Sequence, residues 1–232
     1  NHWLGQPPVF IPTRELLTLY PGFFSVYESR FLEFEEIYRD LCLLLGLPLL
    51  KQLKPGFEKL LAELEKLIGG KVFLDKNGRF YLKYPSGKNL EMTLVAEGIR
   101  KRAMVVQLLA NGSFQNEACV FWDEPETNLN PKLVKDIARV IYALSSNGVQ
   151  TFIATHSLFL MRELEILHQS NPDKQAFSNY PGQLPDTRII CLEAKQGYVK
   201  VHQSNSFEDM DVIVSLDEAI SQSERFMEAM NA

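Results

Sequence analysis

The spacing of apolar residues in the first part of the chain predicts two amphipathic helices. Apolar side chains, Phe31 among them, recur every three or four positions from about Tyr27 to Leu45, and again from Pro55 to Ile68. Gly69-Gly70 follows the second pattern, and glycine is the residue that most often ends a helix. The two helices are expected to form a helical arm.

Two β-hairpins are also predicted. Lys71–Leu74 and Arg79–Tyr84 flank a turn that contains Asn77-Gly78, and an Asn-Gly pair readily adopts the positive φ angles of a tight turn. Near the end of the chain, Thr187–Val201 has strand-like composition and is interrupted at Gln196-Gly197. We therefore expect one hairpin after the helical arm and a second one closing the fold.

The patterns at the two ends of the chain are shorter. Val9–Pro12 is typical of a short buried strand, and Thr13 followed by an early acidic residue predicts a helix that ends at Pro21-Gly22. Leu216–Met230 predicts a terminal helix. Residues 169–185 are rich in Asn, Pro, Ser and Gly, which indicates a surface loop.

The stretch between these regions alternates between helical and strand patterns. Its strands are continuous apolar runs, as expected for a parallel sheet that is covered on both faces. The predicted elements are a helix at Glu97–Leu109, a strand at Ala118–Trp122, a helix from Asn130 to Asn147, a strand at Val149–Thr155 and a helix at Ser157–Leu167. This order predicts an α/β fold with right-handed crossover connections.

These patterns divide the chain into four segments. A strand and a helix enter the core over residues 1–29, and the helical arm and hairpin form an insertion over 30–92. The α/β core is expected over 93–205 and a helical tail over 206–232.

Composition narrows the class of protein. The chain has 24 basic and 29 acidic side chains and a net charge of −5, which argues against a protein that mainly grips a nucleic-acid backbone. It has three cysteines without paired metal spacing, and no run of apolar residues long enough for a membrane span. We expect a cytoplasmic protein.

Because the sequence begins with Asn1, it is expected to be a processed product or the later part of a longer polypeptide.

The strongest chemical signal is an acidic pair directly after a predicted buried strand. Asp123 and Glu124 follow Ala118–Trp122, and open α/β sheets bind ligands at the carboxyl ends of their strands. One carboxylate there can hold Mg²⁺ through water, and its neighbour can orient or deprotonate a water that attacks a phosphate. The simpler alternative is that the acids only solvate the end of the strand.

A second signal follows the next strand. His156 lies at its carboxyl end, where an imidazole can hydrogen-bond a γ-phosphate or the attacking water. Considered alone, His156 is more simply interpreted as the cap of the helix that starts at Ser157. Beside the acidic pair the functional interpretation is favoured, because adjacent strands bring both motifs to one edge.

These residues resemble the ABC-type ATPase heads of SMC and DNA-repair proteins, and more closely the AAA-family ATPases of bacterial phage defence, such as the Septu and overcoming-lysogenization-defect ATPases. Phe121–Glu126 resembles Walker B, Thr127–Asn130 the D-loop and His156 the switch histidine, while Leu94–Lys101 lies where the signature loop opens a helix. The resemblance implies a P-loop NTPase fold with an ABC ATPase-like parallel sheet.

The resemblance also implies site residues and cofactors. Asp123 would hold Mg²⁺, Glu124 would polarise water and His156 would contact the γ-phosphate of ATP. A second set would contact a nucleotide bound to the other subunit of a homodimer or head-to-tail pair. That set comprises Glu97, Gly98, Arg100, Lys101 and Asn130. ATP would join two heads, and its hydrolysis would act on an effector protein or a nucleic acid.

The sequence departs from the family pattern in three ways. Ala96 stands where signatures usually carry serine, and Asn130 replaces the usual D-loop aspartate. The 232 residues contain no Gly-x-x-x-x-Gly-Lys-Ser/Thr, the Walker A loop that cradles phosphates. We therefore expect this chain alone to bind ATP poorly and to be inactive in hydrolysis.

Two other functions remain open. The chain could be a catalytically silent nucleotide-sensing or interaction module, as Ala96 and the missing loop suggest, or a nuclease-coupled defence component. Arg14 is a weaker candidate for the nucleotide site, and the acidic run Glu208–Asp211 is more simply a solvated loop.

Overall fold

The computed structural model describes residues 7–30, 33–115, 118–169 and 186–231. The strands are β1 (Val9–Ile11), β2 (Lys71–Leu74), β3 (Phe80–Lys83), β4 (Asn89–Glu91), β5 (Cys119–Asp123), β6 (Gln150–Ala154), β7 (Ile189–Lys195) and β8 (Tyr198–Ser204). The helices are α1 (Tyr20–Arg30), α2 (Glu36–Leu45), α3 (Pro55–Ile68), α4 (Glu97–Ala110), α5 (Pro131–Ser146), α6 (Leu158–Gln169) and α7 (Val214–Asn231). Phe31 and the loop predicted at 169–185, from residue 170 onward, lie outside the described residues.

Three parallel strands form the central sheet in the order β1-β5-β6. Helix α5 connects β5 to β6, so the strand–helix–strand pattern of the sequence is confirmed. The sheet is parallel because each connection crosses over to restart a strand in the same direction. The predicted α/β fold class is therefore correct, and the carboxyl ends of all three strands meet at one edge.

The two faces of this sheet differ. Val9, Val120 and Trp122 point to a buried side, where each is at most 2% exposed. On the opposite face the strand register brings Phe10, Phe121 and Phe152 side by side, and their rings stack with centroid distances of 6.0 and 4.7 Å. Phe10 and Phe152 are 40% and 46% exposed, so this aromatic face is only partly covered by the described residues.

Helix α4 lies at the centre of the core. Every residue from Lys101 to Leu109 is buried, so α4 is covered on nearly all sides. Helices α2 and α3 pack against it, and the fully buried side chains of Leu45, Leu60 and Leu64 belong to the same hydrophobic cluster as those of α4. The predicted arm therefore shares one core with α4, while its division into a separate segment stays a prediction.

A second, antiparallel sheet follows α3. β2 and β3 pair as the predicted hairpin, and the carboxylate of Asp75 accepts hydrogen bonds from the backbone of Asn77 and Arg79 across the turn. Gly78 has φ +73°, which is the positive angle that this turn required. A third strand, β4, extends the sheet and was not predicted, because three residues carry no clear alternation.

The closing hairpin and the terminal helix are confirmed. β7 and β8 pair antiparallel over seven residues each, and α7 contacts β7. None of the helices in the described ranges has the length and apolar character that a membrane crossing requires.

The helix predicted to begin at Thr13 and end at Pro21-Gly22 is wrong. α1 is assigned from Tyr20 onward, and Pro21 and Gly22 have non-helical angles at its start. Before it, the side chain of Glu15 accepts hydrogen bonds from the backbone and hydroxyl of Thr18, which closes a local turn instead of a longer helix.

The helix predicted from about Tyr27 to Leu45 is interrupted. α1 ends at Arg30 and α2 begins at Glu36, after an extended Glu35 with ψ 145°. Phe34 lies in this break, and its ring packs edge-on against both Phe23 and Tyr38. These aromatic residues have helical spacing in the sequence because they pack together across the break, although the chain does not form one continuous helix there.

Candidate functional site

Side chains from all three strand ends meet at the carboxyl edge of the central sheet. Asp123 is the last residue of β5, and its Oδ2 accepts a 2.8 Å hydrogen bond from the hydroxyl of Thr13, which follows β1. The backbone N–H of Glu124 donates to the carbonyl of Ala154 at the end of β6, at 2.9 Å. The acidic pair is therefore fixed from both neighbouring strands.

Glu124 and His156 are in direct contact. His156 Nδ1 lies 3.2 Å from Glu124 Oε1, and the other carboxylate oxygen, Oε2, accepts a 2.8 Å hydrogen bond from the hydroxyl of Thr127. The side chain of His156 is 78% exposed and that of Glu124 35% exposed, so a ligand can reach both. The structure thus brings together two of the predicted catalytic residues, while their roles stay predictions.

Glu124 also has an unusual backbone. Its φ is +40°, a left-handed angle that costs a residue with a side chain about 1–2 kcal/mol. Asn128, four residues later, has φ +62°, which asparagine tolerates better than most residues. The segment from Glu124 to Asn128 is called the acidic turn here. Strained angles of this kind persist where surrounding contacts fix the backbone.

A partly buried polar network joins the acidic turn to the loop after β6. The hydroxyl of Thr155 donates to Glu126 Oε1 at 2.5 Å and accepts from the backbone of Ser157 at 3.0 Å. The hydroxyl of Ser157 accepts from the backbone of Leu160 at 3.3 Å. Ser157, and not His156, therefore caps α6, which leaves the imidazole of His156 on the open side of the site.

The start of α4 packs against the acidic turn. Ala96 is the N-cap residue and its side chain makes no capping hydrogen bond, while Glu97 Oε1 accepts a 2.8 Å hydrogen bond from the amide of Asn128. A Cβ added to Gly98 would lie 2.8 Å from the Cδ1 of Leu133, so glycine permits this close approach.

Arg100 is paired with a buried carboxylate. Its Nε lies 2.8 Å from Glu15 Oε1, and its Nη1 donates to the carbonyl of Val95 at 3.0 Å. The Nε–H does not form a well-directed hydrogen bond, so the contact with Glu15 is mainly electrostatic. Since Glu15 is only 3% exposed, the guanidinium neutralises a buried carboxylate beside β1.

Lys101 and Asn130 also have structural partners. Lys101 is 1% exposed and its Nζ donates to the carbonyl of Thr127 at 2.7 Å, so its ammonium faces the acidic turn, and its expected contact with a nucleotide of the other subunit stays a prediction. It faces inward because the residues of α4 from Lys101 onward are covered by the core. Asn130 is the N-cap of α5, and its Oδ1 accepts from the backbone of Leu133 at 3.1 Å.

The oxygen ligands at this edge fit a magnesium ion that keeps most of its water. Mg²⁺ in phosphate-handling sites is bound by one or two carboxylates together with substrate oxygens. Asp123 supplies a carboxylate beside the hydroxyl of Thr13. In the described part of the chain, no group of three or more His, Cys, Asp and Glu residues is arranged to hold a metal by itself.

Two residues of this edge, Thr13 and Glu126, were missed from the sequence, and so was the direction of a third, Lys101. Thr13 was interpreted as a helix cap, although its position directly after a strand could have indicated a role at the edge. Glu126 and the inward direction of Lys101 carried no separate signal. Arg14, a weaker candidate, is exposed.

The chain is similar to a known protein family. The model described as "AAA domain, putative AbiEii toxin, Type IV TA system" matches residues 19–162, which is more than half of the 232 residues. The match includes the signature-like start of α4, the acidic turn and His156. No curated protein matches the chain.

Several solved structures are similar in shape. The Smc head domain of Pyrococcus furiosus, bound to the C-terminal domain of ScpA, is 16% identical, with a TM-score of 0.41 over 74% of this chain and 37% of its own. A structure on ATP-driven dimerization and DNA-stimulated activation of SMC ATPases is 16% identical, with a TM-score of 0.44 over 74% of this chain and 91% of its own. The SMC head domain of Thermotoga maritima is 13% identical, with a TM-score of 0.37 over 67% and 46%. The chain spans less than half the length of the Pyrococcus furiosus and Thermotoga maritima proteins. Sequence identities and TM-scores this low do not support any transfer of function to this chain.

Proposed function

Because the chain belongs to this AAA-domain family, whose general function is ATPase-type nucleotide binding, we propose that it supplies the residues that hydrolyse ATP. The complete protein would change conformation with the state of the bound nucleotide. The observation that supports this most is the 3.2 Å contact between Glu124 and His156, beside Asp123 at the end of the same strand. An acid, a second acid and an imidazole at one sheet edge are suited to handling a triphosphate and water.

Asp123 is the proposed metal-binding residue. The hydroxyl of Thr13 holds one oxygen of its carboxylate, Oδ2, and the other oxygen is the proposed ligand of Mg²⁺. Mg²⁺, when bound, would neutralise the charge that develops on the phosphate oxygens. The task of Asp123 and Thr13 is to present hard oxygen ligands in a fixed direction.

Glu124 is the proposed acceptor of a proton from the attacking water. Thr127 holds one oxygen of its carboxylate, and His156 contacts the other. In this arrangement the carboxylate orients a water molecule, and the exposed imidazole of His156 is placed to contact the γ-phosphate. A phosphate would then compete with Glu124 for the imidazole, so the Glu124–His156 contact depends on the nucleotide state.

The start of α4 is the proposed surface for a nucleotide held by a second subunit. The first backbone N–H groups of a helix attract anions, and Ala96 supplies no side chain that would occupy them. Glu97, Gly98 and Arg100 lie there, and Asn130 starts the adjoining helix. Arg100 must leave Glu15 to reach a phosphate, so its contribution requires a change in this ion pair.

The phosphate cradle is proposed to come from a segment outside these 232 residues, in the same polypeptide or in another chain. The sequence contains no glycine loop for phosphates, whereas the acidic turn requires a triphosphate at the same edge. The partly covered face of Phe10, Phe121 and Phe152 is where such a segment would pack. We further propose that the complete protein acts as a homodimer or head-to-tail pair. Its ATP hydrolysis would act on an effector protein or a nucleic acid, in toxin–antitoxin or phage defence.

A cytoplasmic location is part of the same proposal. Cys42, Cys119 and Cys191 are all free thiols, and Cys42 and Cys119 are buried. Free cysteines are typical of reducing compartments.

The decisive experiment measures Mg²⁺-dependent ATP turnover in the complete protein. Glu124→Gln is expected to lower kcat by about 100-fold or more, because it removes the general base while the fold is kept. Asp123→Asn should raise the Mg²⁺ concentration needed for turnover. Glu224→Gln, on the exposed face of α7, is the matched control and should leave both unchanged.

A second candidate function is a catalytically silent nucleotide sensor, which the missing serine at Ala96 favours. A complete protein that binds ATP without turnover, and that Glu124→Gln leaves unaltered, would establish the silent function. Turnover that persists at the original rate in Glu124→Gln contradicts the hydrolytic role.

A further inference from the structure

We propose that Lys101 is a positioning residue that holds the acidic turn in the shape that presents Glu124. The effect on turnover rests on the function proposed above, whereas the structural part does not. Lys101 is 1% exposed and bonds backbone carbonyls of the acidic turn, so it acts through the backbone of the turn.

The contacts of Lys101 span the turn. Its Nζ donates to the carbonyl of Thr127 at 2.7 Å and approaches the carbonyl of Glu124 at 3.4 Å, 26 and 23 residues further along the chain. These two carbonyls are three residues apart and both point to the same ammonium group. A single side chain on α4 therefore links the two halves of the turn.

The strain of the turn explains why this link is needed. Glu124 has φ +40°, and Asn128 has φ +62°, so two residues in this short segment adopt left-handed angles. Such angles revert to relaxed ones unless nearby contacts hold them. If Glu124 relaxed, its carboxylate would leave His156, since the side chain follows the rotation of its backbone.

The charge of Lys101 explains why the residue is a lysine and not a neutral donor. Burial lowers the pKa of its ammonium, and four neighbouring carboxylates offset part of that shift. These carboxylates belong to Glu97, Glu126, Glu124 and Asp123. Carboxylates this close repel each other, and the buried ammonium lowers that repulsion. Glu126 in particular has a buried oxygen, Oε2, for which the described residues supply no hydrogen-bond donor.

The start of α4 and the acidic turn form one unit as a result. Glu97 contacts Asn128, Lys101 contacts Thr127, and Gly98 permits close packing against Leu133. A displacement of α4 would therefore shift the carboxylate of Glu124.

The test compares Lys101→Met with Arg102→Met in the complete protein. Arg102 is the next residue of the same helix, is 6% exposed and hydrogen-bonds a carbonyl and a carboxylate, but it does not touch the acidic turn. Both variants lose a buried cation from α4. Only Lys101→Met is expected to affect the turn.

Two measurements separate positioning from general packing. In hydrogen exchange, the amides of Thr127 and Leu129, which bond to the carbonyls of Glu124 and Glu126, should lose protection by about tenfold or more in Lys101→Met and by less than about twofold in Arg102→Met. In ATP turnover, Lys101→Met should lower kcat by about 100-fold with KM little changed, because the bound nucleotide is kept and the proton acceptor is displaced.

The outcomes are decisive in each direction. Equal loss of amide protection in both variants would show that Lys101 only contributes to packing, which overturns the proposal. If Lys101→Met does not fold, Lys101→Gln keeps a polar group that is too short to reach Thr127 and should show the same loss of protection. If Glu124→Gln leaves turnover unchanged while Lys101→Met still exposes the turn, the hydrolytic function fails and the positioning role stands.

Discussion

The ion pair between Arg102 and Asp136 gives a sharp prediction for stability. Arg102 Nη1 lies 3.2 Å from Asp136 Oδ2, and the two side chains are 7% and 18% exposed. The pair joins α4, which carries the signature-like start, to α5, which begins at Pro131 after the N-cap Asn130. Because burial lowers the pKa of Arg102 and Asp136 raises it, the aspartate compensates for the burial of the guanidinium.

Removal of each partner should have a different cost. Asp136→Ala leaves a buried guanidinium without its carboxylate, and breaking a buried pair in this way costs about 3–5 kcal/mol. Arg102 keeps its 3.0 Å hydrogen bond to the carbonyl of Gly98, and alanine gains about 0.5 kcal/mol in a helix, so we expect about 2 kcal/mol. Arg102→Met should cost about 1 kcal/mol or less, since Asp136 retains Arg139 at 3.8 Å.

Urea unfolding of the single and double variants measures these costs. The double variant should be about as stable as Arg102→Met, because the 3.8 Å contact of Asp136 with Arg139 is too weak to matter once the guanidinium of Arg102 is gone. The cycle should therefore give a coupling of about 2 kcal/mol, the cost of Asp136→Ala itself. Glu218→Ala, which breaks an exposed ion pair with Arg225 on α7, should leave the unfolding midpoint unchanged. Additive effects, or a larger cost for Arg102→Met than for Asp136→Ala, would refute the argument.

Three further predictions concern the core, the metal-binding acid and the cysteines. Ile137→Ala should lower the free energy of unfolding by about 3 kcal/mol in urea titrations, because Ile137 is fully buried and alanine leaves a cavity; a loss below about 1 kcal/mol would contradict this. Thr13→Val should raise the Mg²⁺ concentration for half-maximal turnover of the complete protein by about tenfold, since Asp123 loses the hydroxyl that orients it; an unchanged requirement would exclude that role. At pH 8 a thiol reagent should modify Cys191 first, because burial raises the pKa of Cys42 to about 12 and keeps that thiol protonated. Labelling of Cys42 in the folded protein at the rate of Cys191 would contradict this order.

The sequence predicted the α/β core well because its signals are local. The apolar run before Asp123 is too short for a helix and too continuous for a half-exposed strand, and β5 occupies almost the same residues. Asn130-Pro131 supplied both the cap and the first residue of α5. The first helices were less predictable, because the packing of Phe34 between Phe23 and Tyr38 depends on contacts that spacing alone does not reveal.

The candidate site was predictable in its position and less so in its contacts. That Asp123, Glu124 and His156 share one edge follows from adjacent parallel strands, and the structure has them there. The direction of the basic side chains does not follow from sequence. Lys101 and Arg100 are neighbours at the start of one helix, yet one bonds to the acidic turn and the other to Glu15, because helical rotation points them to different sides of the core.

The row of phenylalanines on the central sheet has a practical consequence for the isolated polypeptide. Within the described ranges β6 bonds to β5 alone, so its other border offers free amide and carbonyl groups next to the ring of Phe152. An unpaired strand edge of this kind can form backbone hydrogen bonds with strands of other molecules. Preparations of these 232 residues alone should therefore tend to self-associate at high concentration.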